Sequence, residues 1–139
     1  MLYGPKDWAR QHEGSARILV VDDDPGIREV VEEALSRRGY QVQGASDGRW
    51  VSRALREGVF PFDLVVLDWR MPDLDGLSVL RELQTLAQAT PVILISIAAD
   101  DQLRIEALGL GAFEILRKTI DFGELCSVVE RALQRHRRS

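Results

Sequence analysis

The sequence predicts an α/β fold, with a parallel sheet covered by helices on both faces, and three features support this. Short apolar runs alternate with amphipathic stretches five times after Arg17, a pattern typical of strands joined by crossover helices. The runs that begin at Ile18, Leu64 and Val92 are nearly unbroken, which indicates central strands buried on both faces. Charged or hydroxyl residues follow several runs, at the edge where such sheets bind ligands. We therefore expect a doubly wound sheet of five strands.

The first predicted strand, residues 18–21, leads into a helix whose two ends are marked in the sequence. Asp24 is a favourable N-cap, Pro25 suits the first helical position, and Gly39 is a stop signal after the last turn. Apolar residues at helical spacing predict the buried stripe of this helix: Ile27, Val30, Val31, Ala34 and Leu35.

The remaining strands are predicted at residues 41–45, 64–67, 91–95 and 114–117, each separated from the next by an amphipathic stretch. The last helix repeats the helical spacing through Leu125, Val128, Val129, Ala132 and Leu133. Cys126 is the single cysteine and lies on this stripe. We therefore expect Cys126 to be a small core residue and not part of an intrachain disulfide.

Length and composition indicate one acidic domain. The chain has 139 residues, of which 45% are apolar and 29% charged, and its formal net charge is −4. We expect an N-terminal arm at residues 1–16, which show no periodicity and should be flexible, and one folded domain at residues 17–139. The chain lacks the basic excess that nucleic-acid binding requires. It also lacks an apolar run of roughly 18 residues that would span a bilayer. We expect a cytoplasmic protein with no direct contact to nucleic acid or membrane.

Residues able to carry chemistry follow four of the predicted strands. Asp22 and Asp23 come after the first strand, Asp68 ends the third, Ser96 ends the fourth, and Lys118 follows the fifth. Clustered carboxylates repel one another and need a neutralising partner. Hard oxygen ligands suit Mg²⁺, with Mn²⁺ as an alternative. Asp24 is the exception among the acidic residues, because its place before Pro25 favours a helix cap over a metal ligand.

Two segments resemble the most specific signatures of the receiver domains of bacterial response regulators, the phosphoacceptor modules of two-component signalling. They are ILVVDDDPGIR at residues 18–28 and LVVLDWRMPDLDG at residues 64–76, and the likeness extends roughly over residues 17–135. The resemblance implies the flavodoxin-like, three-layer fold of chemotaxis receivers, with strand order 2-1-3-4-5.

The resemblance also implies a role for each candidate residue. Asp22 and Asp23 correspond to the metal-binding acidic pair and Asp68 to the phosphoacceptor, which is also a metal ligand. The backbone carbonyl of Arg70 would bind the metal, and the hydroxyl of Ser96 would contact the phosphoryl group. Lys118 corresponds to the family's invariant lysine. The loop after Asp68 is completed by Met71, Pro72 and Gly76.

The expected function is that of a phosphoacceptor switch. A histidine kinase or a phosphotransfer protein would donate a phosphoryl group to Asp68 in the presence of Mg²⁺. The surface around helix four, strand five and helix five would then change its affinity for a downstream protein. Such a chain is not an enzyme toward other molecules, since it catalyses only its own phosphorylation and slow dephosphorylation.

Three departures from the family pattern concern the switch region. Lys118 is followed by Thr119 and not by proline, so we expect a trans bond between them, because a cis bond to a residue other than proline costs about 2.5 to 4 kcal/mol. Ile115 stands where the family has a switching aromatic residue, and we expect Phe113, on the same strand face, to be in poor register to replace it. Ile97 stands where a small residue is usual, so access to the phosphoryl pocket should be narrower.

These departures leave a second hypothesis open. The chain could be a receiver-like interaction module that signals without phosphorylation. Retention of Asp22, Asp23, Asp68, Ser96 and Lys118 argues against it, because a module without the chemistry has no need for a repulsive acidic cluster. A phosphohydrolase acting on small substrates is disfavoured too, since the sequence shows neither a second acid two residues after Asp68 nor a segment long enough to form a cap.

Overall fold

The computed structural model describes residues 15–69, 76–87, 89–97 and 100–137, and five strands alternate with five helices in it. The strands are β1 (Arg17–Val21), β2 (Gln41–Ala45), β3 (Leu64–Asp68), β4 (Val92–Ser96) and β5 (Glu114–Arg117). The helices are α1 (Pro25–Ser36), α2 (Gly48–Arg56), α3 (Gly76–Leu86), α4 (Asp101–Gly109) and α5 (Phe122–Arg137). The expected N-terminal arm falls almost entirely outside the described residues.

The five strands form one parallel sheet in the order β2-β1-β3-β4-β5, so the predicted fold is confirmed. The strand bounds differ from the prediction by one residue at most. β3 includes Asp68 and β4 includes Ser96, because Asp68 and Ser96 still pair with the neighbouring strands, Asp68 opposite Ile95 and Ser96 opposite Arg117. β4 begins after Pro91, whose carbonyl accepts a hydrogen bond from Val65 N.

Two apolar layers cover the sheet, one on each face. Alternate residues of the central strands point to opposite faces, so Leu19 lies in one layer while Ile18 and Val20 lie in the other. One layer is completed by helices α2, α3 and α4, and the other by α1 and α5. Burial of both faces explains the nearly unbroken apolar runs of β1, β3 and β4.

Helix α1 begins as predicted. The Asp24 side chain accepts hydrogen bonds from Gly26 N at 2.9 Å and Ile27 N at 3.2 Å, and Pro25 is the first helical residue. The chain turns after the helix at Gly39, where φ is +91°, a conformation that favours glycine.

The buried stripe of α1 is narrower than predicted. Only Val31 and Leu35 of the five residues are buried, two others are half-buried, and Val30 is 49% exposed. Val30 faces the groove between α1 and α5, where Phe122 and Cys126 also line a cavity, and it does not point at the sheet. Cys126 itself is buried and belongs to the core layer of α5.

No helix within the described ranges is both long and apolar enough to cross a membrane.

Candidate functional site

The three candidate acidic ligands meet at the carboxyl edge of the sheet. Asp22 follows β1 and Asp68 ends β3, and these strands are neighbours. Asp22 and Asp68 are only 4% and 6% exposed, whereas Asp23 is exposed. One carboxylate oxygen from each of the three lies within 4.8 Å of the others. The structure thus brings together the acidic residues that the sequence singles out.

The Lys118 ammonium lies beside two of these carboxylates. Its Nζ lies 3.4 Å from Asp22 Oδ2 and 3.4 Å from Asp68 Oδ1. The backbone holds it there, because Lys118 N donates a hydrogen bond to Ser96 O at 2.9 Å. Lys118 thus faces two of the three carboxylates, and clustered carboxylates of this kind favour a divalent cation in the same place.

Ser96 lies beside Asp68 on the next strand. It is 1% exposed and follows Ile95, the register partner of Asp68. Trp69 N donates a hydrogen bond to Ile95 O at 2.8 Å, which keeps β3 and β4 paired just past Asp68. Ser96 and Asp68 consequently reach the same edge of the sheet.

The expectation of a trans bond between Lys118 and Thr119 is wrong, because this bond is cis. The expectation weighed only the local preference of a peptide bond without proline. It did not include the tertiary contacts of Lys118, whose N–H binds Ser96 O and whose Nζ lies near two carboxylates.

The expectation that Phe113 shares a strand face with Ile115 is also wrong. Ile115 is buried in the layer formed with α2, α3 and α4, whereas Phe113 packs against the opposite layer. Phe113 precedes β5, and the Arg135 guanidinium lies 6.0 Å from its ring centroid. The strict alternation of a strand does not apply to a residue outside the strand.

Ile97 follows β4 and has an exposed side chain. It lines an open cavity of about 720 Å³ together with Lys118 and Thr119. Whether it narrows access to Asp68 stays a prediction.

Gly76, the first residue of α3, lies directly against Trp69. Arg70, Met71 and Pro72 lie outside the described residues, so the proposed backbone carbonyl of Arg70 does too. Gly76 N donates a hydrogen bond to Trp69 O at 2.8 Å. A Cβ added at Gly76 would lie 2.7 Å from Trp69 O and 2.8 Å from Trp69 Cα. This close approach of two backbone segments requires glycine at position 76.

Sequence reasoning assigned no role to Arg28, which the structure connects directly to the site. A guanidinium nitrogen of Arg28 donates a hydrogen bond to Asp22 O at 2.7 Å. The first signature segment ends on this residue, but the spacing between the two positions carries no signal of such a contact.

The donor set fits a hard divalent cation. All three candidate ligands are carboxylate oxygens, and Mg²⁺ binds oxygen at about 2.0 to 2.1 Å, so opposite ligands lie about 4 Å apart. The mutual separations within 4.8 Å put the three carboxylates within reach of one ion, and binding would draw their oxygens closer together. Mg²⁺ commonly takes few carboxylates and keeps other positions for water and phosphate oxygens.

Comparisons with known proteins agree with this geometry. The family model described as the response regulator receiver domain matches residues 18–130. The chain is 37% identical over 118 residues to the regulatory protein AtoC of Escherichia coli strain K12, covering 85% of this chain and 25% of AtoC. It is 39% identical over 116 residues to the transcriptional regulatory protein ZraR of the same strain, covering 84% of this chain and 26% of ZraR. The chain thus spans about a quarter of each relative.

Solved structures show the same architecture. A response regulator receiver domain protein from Clostridium thermocellum is 32% identical, with a TM-score of 0.81, and the match covers 88% of this chain and 97% of that one. The receiver domain of the Francisella response regulator 1452 is 30% identical, with a TM-score of 0.80, covering 87% and 98% of the two chains.

Proposed function

The chain belongs to the response regulator receiver domain family, and from this premise we propose that Asp68 is the phosphoacceptor of a two-component phosphorelay. The observation that carries the proposal is the setting of Asp68. Its buried carboxylate lies 3.4 Å from Lys118 Nζ and within 4.8 Å of two further carboxylates. A buried carboxylate at the ligand-binding edge of the sheet is well suited to act as a nucleophile.

Asp68 acts on a phosphohistidine or a small acyl phosphate. An Asp68 carboxylate oxygen forms a bond to phosphorus while the bond from phosphorus to the donor breaks and the donor keeps that electron pair. The product is an aspartyl phosphate. Water later attacks the same phosphorus, which releases inorganic phosphate and restores the carboxylate. No external ester is turned over in this cycle.

Lys118 and Ser96 assist the transfer. The Lys118 ammonium, already 3.4 Å from Asp68 Oδ1, neutralises charge on the phosphoryl oxygens. The Ser96 hydroxyl, at the end of the adjacent strand, donates a hydrogen bond to one of these oxygens. Both groups stabilise the phosphorylated state more than the free one.

Asp22, Asp23, Asp68 and the backbone carbonyl of Arg70 would hold Mg²⁺, or Mn²⁺ as the alternative. The ion, when bound, supplies further positive charge to the phosphoryl oxygens. The buried Asp22 carboxylate is fixed for this task, since its Oδ1 accepts a hydrogen bond from Asp24 N at 2.9 Å.

The proposed partners are a histidine kinase or phosphotransfer protein as donor and a downstream protein as target. The target surface comprises α4, β5 and α5. Ile105 and Leu108 on α4 are exposed apolar residues, which supports a protein contact there. Phosphorylation changes target affinity only through its different interactions in the two states.

A second candidate function is that of an interaction module that signals without phosphorylation. Ile115 favours this alternative. It is buried at the position of the family's switching aromatic ring, and an aliphatic side chain cannot make the same rotation.

Tryptophan fluorescence separates the two functions. Trp69 directly follows Asp68 and is partly buried against the core, so we would titrate Mg²⁺ and then add beryllofluoride, a phosphoryl mimic. The Asp68→Asn variant retains all three tryptophans and is the control. A saturable response that the mimic increases, and that the variant lacks, supports the phosphoacceptor.

Two other outcomes of the titration would contradict the phosphoacceptor function. A response to Mg²⁺ without any effect of the mimic would mean that the pocket is blocked, with Ile97 and Thr119 as the residues to test. No response to either would favour the interaction module.

A further inference from the structure

The main chain of Asp22 is held from both sides. Asp22 N donates a hydrogen bond to Ala45 O at 3.1 Å, at the end of β2. Asp22 O accepts one from the Arg28 guanidinium at 2.7 Å. The side chain is held as well, since Oδ1 accepts from Asp24 N and Oδ2 lies 3.4 Å from Lys118 Nζ. Arg28 is thus the side chain that fixes the carbonyl of a candidate metal ligand.

Arg28 is in turn oriented by a second contact on its own helix. Arg28 Nε lies 3.6 Å from Glu32 Oε1, and the two side chains are 20% and 31% exposed. This ion pair links positions i and i+4 on one face of α1. A terminal nitrogen of Arg28 then points back past the start of the helix and donates to Asp22 O in the segment between β1 and α1.

Gly44 on β2 provides the space for this pair. A Cβ added at Gly44 would collide with the Glu32 carboxylate and would lie 3.2 Å from Arg28 Cδ. Gly44 has no positive φ, so its backbone conformation does not require glycine. The close packing of the Glu32 and Arg28 side chains against the strand means that they would have to shift to admit a side chain at position 44.

We propose that Arg28 is a positioning residue that orients the Asp22 carboxylate for metal binding. Its ion pair with Glu32, which packs against Gly44, holds the Arg28 side chain in place. The inference rests on the proposed function, in which Asp22 is a ligand of Mg²⁺. Arg28 does not touch the metal or the phosphoryl group in this scheme. It acts by holding the main chain of Asp22 in place before the ion arrives.

A positioning role and a purely electrostatic role for Arg28 predict opposite changes in Mg²⁺ affinity when Arg28 is removed. A guanidinium near the acidic cluster repels a second cation, so removal of its charge alone would tighten Mg²⁺ binding. If Arg28 instead positions Asp22, its removal weakens binding despite the lower repulsion, since loss of a group that orients a metal ligand typically costs about 10-fold or more in affinity. The direction of the change therefore distinguishes the two roles.

The test compares Arg28→Met with Arg37→Met. Arg37 forms an ion pair with Glu33 on the same helix, at 2.8 Å, but both side chains are well exposed. We expect Arg28→Met to weaken Mg²⁺ binding, measured through tryptophan fluorescence, by about 10-fold, and Arg37→Met to leave it unchanged. Arg28→Lys keeps the charge and one donor group, and should restore part of the affinity.

Gly44→Ala provides an independent route to the same effect, because it displaces Glu32 and Arg28 without removing either. We expect it to weaken Mg²⁺ binding in the wild-type background and to have little further effect in Arg28→Met, since the two changes act through one contact. If the losses of affinity in Gly44→Ala and Arg28→Met were additive in the double variant, they would contradict the proposal that the two changes act through one contact.

Amide exchange of Asp24 in the metal-free protein tests positioning without any metal. Its N–H is bonded to Asp22 Oδ1, so it should exchange faster in Arg28→Met than in Arg37→Met. If the wild type binds no Mg²⁺ but this difference appears, the proposed function fails and the positioning of Asp22 stands. Equal exchange, unchanged Mg²⁺ affinity or tighter binding in Arg28→Met would overturn the inference.

Discussion

Asp68 illustrates, at the scale of single residues, how charges compete in this site. At an effective dielectric constant of about 20, its attraction to Lys118 at 3.4 Å is about 5 kcal/mol. Its repulsion from each of the other two carboxylates, within 4.8 Å, is about 3.5 kcal/mol. Solvent screens exposed Asp23 more than Asp22, and the combined repulsion from these two carboxylates is larger than the attraction to Lys118.

We therefore expect Asp68→Asn to stabilise the metal-free protein, by on the order of 1 kcal/mol after screening. The midpoint of denaturant unfolding, measured without divalent cations, should rise. Asp63→Asn is the matched control, because Asp63 accepts a hydrogen bond from Arg17 N at 2.8 Å and pairs with its side chain, and its midpoint should fall. A lower midpoint for Asp68→Asn would mean that its favourable contacts dominate.

Ile97 provides a second prediction at the residue scale. If its bulk narrows the pocket beside Lys118, Ile97→Ala should accelerate phosphorylation by a small acyl phosphate several-fold. Ile97 and Ile105 are both 72% exposed, so Ile105→Ala is a matched control that should leave the rate unchanged. Equal rates for wild type and Ile97→Ala, followed by mass spectrometry over time, would show that Ile97 does not restrict access.

The sequence predicted correctly that the three aspartates and Lys118 lie close together, because each ends or follows a strand of one parallel sheet. The sequence did not predict features that depend on contacts between residues far apart in the chain. The cis bond at Lys118 and the packing of Phe113 on the opposite layer depend on tertiary neighbours. The contact between Arg28 and Asp22 O depends on how α1 meets the loop after β1, which no local pattern encodes.

Helix α1 shows, at the scale of elements, what periodicity can and cannot predict. The cap at Asp24 and the first turn at Pro25 were predicted correctly, since both are local interactions. The buried stripe was too wide, because Val30 faces the groove beside α5. A helical repeat identifies an apolar face but does not say how far the neighbouring helix covers it.

The junction of β3 and α3 gives a prediction at the element scale. Gly76→Ala should lower the free energy of unfolding by about 2 kcal/mol, because the added Cβ would meet the Trp69 backbone at 2.7 Å. It should also change Trp69 fluorescence. Gly109→Ala is the control, since a Cβ there meets nothing within 4 Å, and alanine should be neutral or stabilising in α4. Equal stabilities of the two variants would contradict this account of Gly76.

The strand order belongs to the scale of the whole molecule. Apolar periodicity predicted a parallel sheet, and the resemblance to receiver domains implied the order that the structure has. That order places β1, β3 and β4 side by side, so Asp22, Asp68 and Ser96 converge on one edge. The convergence follows from the topology, and it brings three distant sequence positions to one site, as the proposed phosphoryl transfer requires.

The coupling between this edge of the sheet and the proposed target surface has to differ from the one usual in the family. Ile115 stands where the resemblance to receiver domains places the switching ring, and it is buried, so under the proposed function a change at Ser96 cannot be transmitted by rotation of an aromatic side chain there. Arg104 on α4 forms an ion pair with Glu114 on β5 at 2.8 Å. This pair joins two elements of the proposed target surface independently of Ile115.

Phosphorylation of the intact chain tests the central claim most directly. The protein would be incubated with Mg²⁺ and a small acyl phosphate, and peptides would then be mapped by mass spectrometry. We predict one phosphoryl group per chain, on Asp68, that is absent without Mg²⁺ and absent in Asp68→Asn. Modification of another residue, or an unmodified chain under conditions where Mg²⁺ binds, would contradict the assignment of Asp68 as the phosphoacceptor.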